Sequence, residues 1–189
     1  MPLIDDGETP IMRRAIRPGL LTTAAFCAAT LAAAVAPAQA QSADPEILGS
    51  YTDWTAYTYT EGGNKVCYMA SQPKKAEGNY DKRGDIFVLV THRPADSTSD
   101  VVSIVAGYDY KGESDVTVNI DGRTFSLFTH GERAWARDTA TDKSMVGSMR
   151  AGRSMKVEGT SERGTKTVDT YSLSGFTAAH QAISKACGV

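Results

Sequence analysis

Residues 116–127 read VTVNIDGRTFSL, and this stretch decides the fold class. Apolar and polar side chains alternate on both sides of Asp121-Gly122, which is a favoured pair for a two-residue hairpin turn. A turn at this pair places Val118 opposite Phe125 and brings the apolar side chains of both strands onto one face. Turn chemistry and hydrophobic pattern therefore agree on one antiparallel register.

Strands are also predicted on both sides of this hairpin. Short runs rich in β-branched and aromatic residues, alternating or continuously apolar, occur at residues 54–60, 66–70, 86–91, 102–108, 154–158 and 168–173. Between them, residues 73–84 are rich in Lys, Asp and Gly and predict an exposed loop, while the polar residues 41–50 predict a frayed leader. The sequence therefore predicts about eight short strands.

Two segments change to the period of an α-helix. Met145, Val146 and Met149 are spaced for one helical face, and Gly152 ends that helix. The last segment carries one apolar stripe, formed by Phe176, Ala179, Ile183 and Cys187. Together the elements predict an all-β protein: an antiparallel β-sandwich or jelly-roll-like barrel with a short internal helix and a C-terminal helix.

The N-terminal part of the chain has the order of a secretory signal peptide. Three arginines lie within residues 13–17, residues 20–36 are apolar and uncharged, and residues 38–40 read Ala-Gln-Ala. This order predicts cleavage between Ala40 and Gln41. An uncleaved membrane anchor is the alternative, but the apolar run is shorter than the ~20 residues that a comfortable span needs.

The predicted signal peptide covers residues 1–40, with the true start at Met12, because the eleven residues before it include Asp5, Asp6 and Glu8 whereas a signal peptide begins with basic residues. Residues 41–189 then form a single β domain that is periplasmic or secreted and has no stable membrane span after cleavage. The formal net charge of −2 and the pI of about 5.9 give no general attraction to nucleic acid or anionic lipid.

Two cysteines remain after cleavage, Cys67 and Cys187. An even count in an oxidising compartment predicts one intramolecular disulfide, which joins an early strand to the C-terminal helix. Two free thiols are the alternative. A redox-active pair is disfavoured because the chain has no C-x-x-C sequence.

Several motifs in order resemble the invasion-associated locus B family of alphaproteobacteria. They are Asp53-Trp54, then Cys67-Tyr68-Met69, then MVGSMRAG at residues 145–152 and YSLSGFTAA at residues 171–179. The resemblance implies an exported β-rich protein without an established enzyme activity, in a family whose founding member is linked to host-cell invasion. Additional cysteines found in some members are absent here, and the family defines no catalytic residues to carry over.

Motifs for catalysis and metal binding are weak. Ser71-Gln72-Pro73-Lys74 matches the S-x-x-K pattern, but that pattern needs a helix and Pro73 interrupts it. Residues 159–162 lack the final glycine of a G-x-S-x-G turn. The histidines, His92, His130 and His180, are far apart in sequence without a metal-ligand spacing, and His180 is predicted to be a surface or rim residue. We predict no catalytic residue, no metal site and no cofactor.

Three looser clusters each have a functional and a structural interpretation. The first cluster is acidic and comprises Asp109, Glu113 and Asp115. It is interpreted either as a calcium site or as a solvated turn. The second cluster is basic, and it is interpreted either as one patch or as charges scattered over the surface. Its members are Lys74, Lys75, Lys82, Arg83, Arg150, Arg153 and Lys156. The third cluster is aromatic, and its members either line a sugar-binding face or belong to the core. They are Trp54, Tyr57, Tyr59, Tyr108 and Tyr110.

The predicted function is that of a non-enzymatic exported envelope protein that mediates protein–protein or envelope interaction. Its partner, an envelope or host protein, and its oligomeric state stay open. One alternative is a glycan- or small-ligand-binding sandwich, which predicts a concave surface with a row of aromatic side chains. The other is a hydrolase, which predicts a buried histidine or carboxylate with a shifted pKa in a cleft.

Overall fold

The computed structural model describes residues 44–189, so the predicted signal peptide and its cleavage site lie outside the described residues. Eleven strands occur in this part of the chain: β1 (Glu46–Tyr51), β2 (Trp54–Glu61), β3 (Asn64–Ser71), β4 (Lys75–Gly78), β5 (Phe87–Arg93), β6 (Thr98–Val105), β7 (Asp115–Ile120), β8 (Arg123–His130), β9 (Arg133–Trp135), β10 (Ser154–Thr160) and β11 (Lys166–Ser172). Helix α1 spans Thr139–Ala151 and helix α2 spans Phe176–Cys187.

All described strands belong to one antiparallel sheet in the order β1-β2-β3-β5-β6-β9-β8-β7-β10-β11-β4. The sheet is open but coiled, because its first and last parts meet. Trp54 Nε1 donates a hydrogen bond to the carbonyl oxygen of Ser172 at 3.0 Å, and the Asp53 amide donates to that of Ser174 at 3.3 Å. This sandwich-like sheet with two helices confirms the predicted fold class.

The predicted hairpin register is present. Val118 lies opposite Phe125 in the ladder between β7 and β8, and both side chains are buried. Asp121 and Gly122 have φ values of +45° and +98°, which is the left-handed backbone that a tight hairpin turn requires. Asp121 also accepts the Arg153 amide at 2.7 Å, which ties the turn to the start of β10.

Two strands lie where the sequence predicted irregular structure. The predicted leader contains β1, whose pairing with β2 is interrupted by a bulge between Ile47 and Gly49 that hides the alternating pattern. The predicted loop at residues 73–84 contains β4, all of whose side chains are exposed. A strand without a buried face has no hydrophobic period, so its pairing with β11 depends on backbone hydrogen bonds alone.

The two helices cover parts of the core as predicted. In α1, Met145, Val146 and Met149 are buried, and the helix ends at Gly152. In α2, Phe176 packs edge-on against Trp54 with ring centroids 4.9 Å apart. Neither helix of the described part is both long and apolar enough to cross a membrane.

Candidate functional site

A disulfide fastens α2 to the sheet. Cys67 is buried on β3 and Cys187 is the last residue of α2, and their Cα atoms lie 6.0 Å apart across a sequence separation of 120 residues. This is the pairing predicted from the cysteine count. The two cysteines are bonded in the structure, so they are not the free thiols of the alternative prediction.

Beside the disulfide lies a polar group that sequence spacing did not predict, the histidine cluster of His92, Asp100 and His180. The rings of His92 and His180 have centroids 5.5 Å apart, although the two residues are distant in sequence. His180 is 9% exposed and lines a cavity, so of the two predicted positions, surface or rim, the open surface is wrong. His130, the third histidine, is exposed at the end of β8.

The strand and helix periods explain why the cluster forms. His92 is two residues from Val90 on β5 and lies opposite Cys67, so its side chain points toward the face that α2 covers. His180 follows Phe176 by one helical turn and therefore points toward the same face. The sequence does indicate that His92 shares the buried face of β5 and that His180 lies near the apolar stripe of α2. The cluster can be predicted only when these two observations are combined with the packing of α2 on the sheet.

Hydrogen bonds fix the protonation pattern of the cluster. The Asp100 amide donates to His92 Nδ1 at 3.0 Å, so this nitrogen carries no proton. His92 Nε2 then carries the proton and donates to Ser184 Oγ at 3.1 Å. His180 Nε2 lies 2.7 Å from Asp100 Oδ1 and donates to it. Burial lowers the pKa of His92, and the hydrogen bond from His180 lowers the pKa of Asp100.

This pattern opposes a hydrolase of the serine–histidine–aspartate type. In such an enzyme the histidine nitrogen facing the serine must be free of a proton so that it can accept one. Here His92 Nε2 donates to Ser184, and the Asp100 carboxylate stands 4.0 Å from His92 Nδ1. A buried histidine with a lowered pKa is present beside a cavity of about 380 Å³, but the adjacent hydroxyl is not activated.

The S-x-x-K segment does not form a serine–lysine pair. Ser71 ends β3, is buried, and donates through Oγ to the carbonyl oxygen of Asp53 at 2.6 Å. Lys74 instead forms an ion pair with the Asp53 carboxylate. Both side chains therefore stabilise the chain around Asp53.

One of the predicted basic surface residues is buried in an ion pair. The side chains of Arg83 and Asp169 are 4% and 2% exposed. Two parallel hydrogen bonds of 2.6 and 2.5 Å join the guanidinium to the carboxylate, and Arg83 Nε donates to the Ala106 carbonyl at 2.6 Å. The guanidinium also lies 4.9 Å from the ring centroid of Tyr108. The interpretation of Arg83 as scattered surface charge is wrong, because a partner on β11 holds it inside.

The acidic residues near Gly112 fit the solvated turn rather than a calcium site. Asp109, Glu113 and Asp115 are exposed. The Asp115 carboxylate is already held by Ser126 Oγ at 2.6 Å and by Arg137 at 2.8 Å. The Arg137 guanidinium thus neutralises the negative charge of Asp115, which a calcium site would need.

The predicted aromatic group divides between the two faces of the sheet. Trp54 and Tyr110 belong to the core, whereas Tyr57 and Tyr59 point away from it. Tyr57 stacks on its cross-strand neighbour Tyr68 with centroids 4.8 Å apart. These tyrosines extend into an apolar surface on the side of the sheet opposite α2.

We call this surface the outer aromatic face. Its members are partly exposed and lie outside the core cluster: Tyr57, Tyr59, Tyr68, Phe87, Leu89, Val101, Val105, Phe128 and Trp135. Strand pairing places them together, since Tyr68 lies opposite Thr91 and Thr91 lies opposite Val101. The corresponding face of β7, β10 and β11 is polar, with exposed Thr117, Lys156, Glu158 and Lys166.

A buried acid in the first turn of α1, Asp142, makes the stability of the domain depend on pH. Asp142 is 7% exposed and accepts the Val102 amide at 3.0 Å. Burial raises its pKa from 3.8 to about 6, and the charges of Asp100 and Asp138 add to this effect. Ionised Asp142 therefore destabilises the folded state as pH rises from about 4 to about 6, and the full cost is present at neutral pH.

We expect Asp142→Asn to raise the free energy of unfolding at pH 7 by up to about 3 kcal/mol, because a two-unit shift corresponds to that energy. The gain should be much smaller near pH 4, where Asp142 is protonated in the folded state and partly protonated in the unfolded state. Urea denaturation from pH 4 to pH 8 measures this. Asp138→Asn, at the exposed N-cap of the same helix, is the control and should give no comparable gain. An Asp142→Asn gain that is equal at pH 4 and pH 8 would contradict the prediction.

Comparisons with known proteins agree with the fold and with the family resemblance. The profile of the family described as Invasion associated locus B (IalB) protein matches residues 54–184. The crystal structure of invasion associated protein B from Bartonella henselae is similar, with a TM-score of 0.53 and 19% sequence identity over 73% of this chain and 95% of that chain. A comparison with curated proteins finds no match. Because the family match runs from the first residue of β2 into α2, the chain belongs to the invasion associated locus B family.

Proposed function

We propose that this chain is a non-enzymatic exported protein that acts by binding another protein through its outer aromatic face. The observation that carries the proposal is the composition of that face. Nine partly exposed aromatic and aliphatic side chains lie there outside the core cluster, and they are continuous across neighbouring strands. A contiguous apolar surface of this kind is typical of protein interaction sites.

The chemistry of the face favours a protein partner. Tyr, Trp and Arg are enriched in protein interfaces, and residues of these types dominate binding energies. Arg93, at the border of the face, is held by Glu61 and donates to Tyr59 Oη at 3.2 Å. The expected partner therefore presents an apolar or aromatic patch with polar groups around it.

Glycan binding and hydrolysis receive less support. None of the nine side chains of the outer aromatic face lines the cavities of about 800 and 380 Å³, so the aromatic row is not in a concave site of the kind that sugars occupy. Hydrolysis would need a histidine that accepts the proton of a neighbouring hydroxyl group. In the pair of His92 and Ser184, the histidine Nε2 carries the proton and donates it to the hydroxyl, so His92 is in the wrong tautomer to act as a general base.

The proposal places the protein in the periplasm or outside the cell. The basic, apolar and Ala-Gln-Ala order of residues 13–40 supports export and cleavage before Gln41. The disulfide between Cys67 and Cys187 is consistent with an oxidising compartment.

Affinity capture from the periplasm tests the binding face. Tyr57→Thr with Tyr68→Thr removes two stacked rings and retains β-forming residues, so the fold should persist. Protein purified from the periplasm, whose intact mass should correspond to a start at Gln41, serves as bait. We expect a specific captured protein to bind this double variant at least ~30-fold more weakly, as for the loss of an interface hot spot of about 2 kcal/mol.

The matched control is Lys156→Thr with Glu158→Thr, on the polar half of the same side of the sheet. It should bind the captured protein like the unmodified chain. Equal binding by the tyrosine variant, or equal loss in the control, would contradict the proposed face.

A further inference from the structure

We propose that the histidine cluster is a Zn²⁺ site, in which His92 Nδ1, a carboxylate oxygen of Asp100 and His180 Nε2 bind the ion. The fourth position opens into the cavity of about 380 Å³ beside the cluster. This inference is independent of the outer aromatic face, which lies on the other side of the sheet.

The donor set is suitable for zinc. Two imidazole nitrogens and one carboxylate oxygen, with one open position, match the ligand types and number of many zinc centres. All three ligand atoms lie within 4.8 Å of one another and come from β5, β6 and α2. The side chains are 1%, 22% and 11% exposed for His92, Asp100 and His180, so the site is largely enclosed but accessible from the cavity.

The distances require only small movements. Ligand atoms around a tetrahedral zinc ion are about 3.3 Å apart, given bond lengths of about 2.0–2.1 Å. His180 Nε2 and Asp100 Oδ1 are 2.7 Å apart, and His92 Nδ1 and Asp100 Oδ1 are 4.0 Å apart. These two separations bracket the required value, and the third, between His92 and His180, is at most 4.8 Å, so coordination requires the three side chains to move by distances on the order of 1 Å.

Hydrogen bonding already selects the tautomer that His92 needs. Its Nε2 proton is directed at Ser184 Oγ, which leaves the Nδ1 lone pair facing Asp100. Such a partner on the second ring nitrogen is the usual way a protein orients a histidine ligand. On binding, the ion replaces the Asp100 amide at His92 Nδ1, and His180 takes the neutral tautomer that has its proton on Nδ1.

The surroundings predict the character of the fourth ligand. Arg150 lines the same cavity, together with Ser99 and Gln181. A guanidinium beside the ion favours an anionic ligand, such as a carboxylate or chloride, over a neutral one. The site would then bind zinc more tightly when such an anion is present.

Zinc titration of the disulfide-bonded mature protein tests the site, with calorimetry and competition against a chromophoric chelator. We expect one Zn²⁺ per chain and a higher thermal unfolding temperature when zinc is bound. Asp100→Asn retains a hydrogen-bond acceptor for His180 but loses the charged ligand, and it should abolish binding at this site. Ser184→Ala leaves all three ligands and should weaken binding by ~10–100-fold, as for a lost ligand-orienting partner.

The control is His130→Ala, which removes the one described histidine outside the cluster and should leave zinc binding unchanged. Circular dichroism verifies that each variant is folded. If Asp100→Asn does not fold, His180→Gln serves as a second variant that lacks one ligand. Absence of zinc uptake by the unmodified chain would overturn the proposal. So would full binding by a folded Asp100→Asn or His180→Gln, or a loss with His130→Ala equal to theirs.

Discussion

Asp169→Ala is expected to lower the free energy of unfolding by about 3–5 kcal/mol, because it leaves the buried Arg83 guanidinium without its counter-charge. The Arg83 side chain is 4% exposed and makes three hydrogen bonds, two to Asp169 and one to the Ala106 carbonyl. Removing the carboxylate therefore removes two of them and leaves a positive charge inside the protein. Urea denaturation at neutral pH measures the loss.

A double variant separates the cost of the unpaired charge from the loss of packing. Arg83→Met with Asp169→Leu removes both charges and retains most of the side-chain volume, so it should recover much of the stability. Lys75→Met, which removes an exposed lysine next to the same segment, should change stability little. If the double variant were no more stable than Asp169→Ala, the loss would come from packing and the electrostatic explanation would be wrong.

Cys187→Ser is expected to lower the free energy of unfolding by about 2–5 kcal/mol, the range for losing a native disulfide. The bond closes a loop of 120 residues, so it strongly restricts the unfolded chain. It also holds the last turn of α2 against β3. Chemical denaturation measures the effect, and amide hydrogen exchange in α2 should increase.

The control for the disulfide is the double variant Cys67→Ser with Cys187→Ser. It should be as unstable as the single variant, and reduction of the unmodified protein should give a similar loss. A Cys187→Ser protein as stable as the oxidised parent would contradict a structural role for the bond.

Local chemistry predicted much of this fold. The Asp121-Gly122 turn determines a register that holds in the structure, with Val118 opposite Phe125. The spacing of Met145 and Met149 likewise predicted the buried face of α1. These features depend on residues a few positions apart, so a single segment carries the whole signal.

Features that depend on distant pairs were missed. Strand β4 has no buried side chain, and Arg83 lies in a segment whose composition predicts an exposed loop. In both cases the stabilising partner is on β11, and nothing in the local pattern points to it. The histidine cluster was missed for the same reason, since His92 and His180 meet only after α2 packs on the sheet.

The pairing of β4 with β11 also governs when the chain can acquire its structure. Strand β4 is synthesised long before its only described strand partner, and the interval between Trp54 and its contacts Ser172 and Phe176 is longer still. Contacts between residues so far apart in sequence form slowly, so the two ends of the sheet can meet only after the last third of the chain is made. Loss of the final helix should therefore expose the core around Trp54 near the start of the domain, although every described strand would still be present.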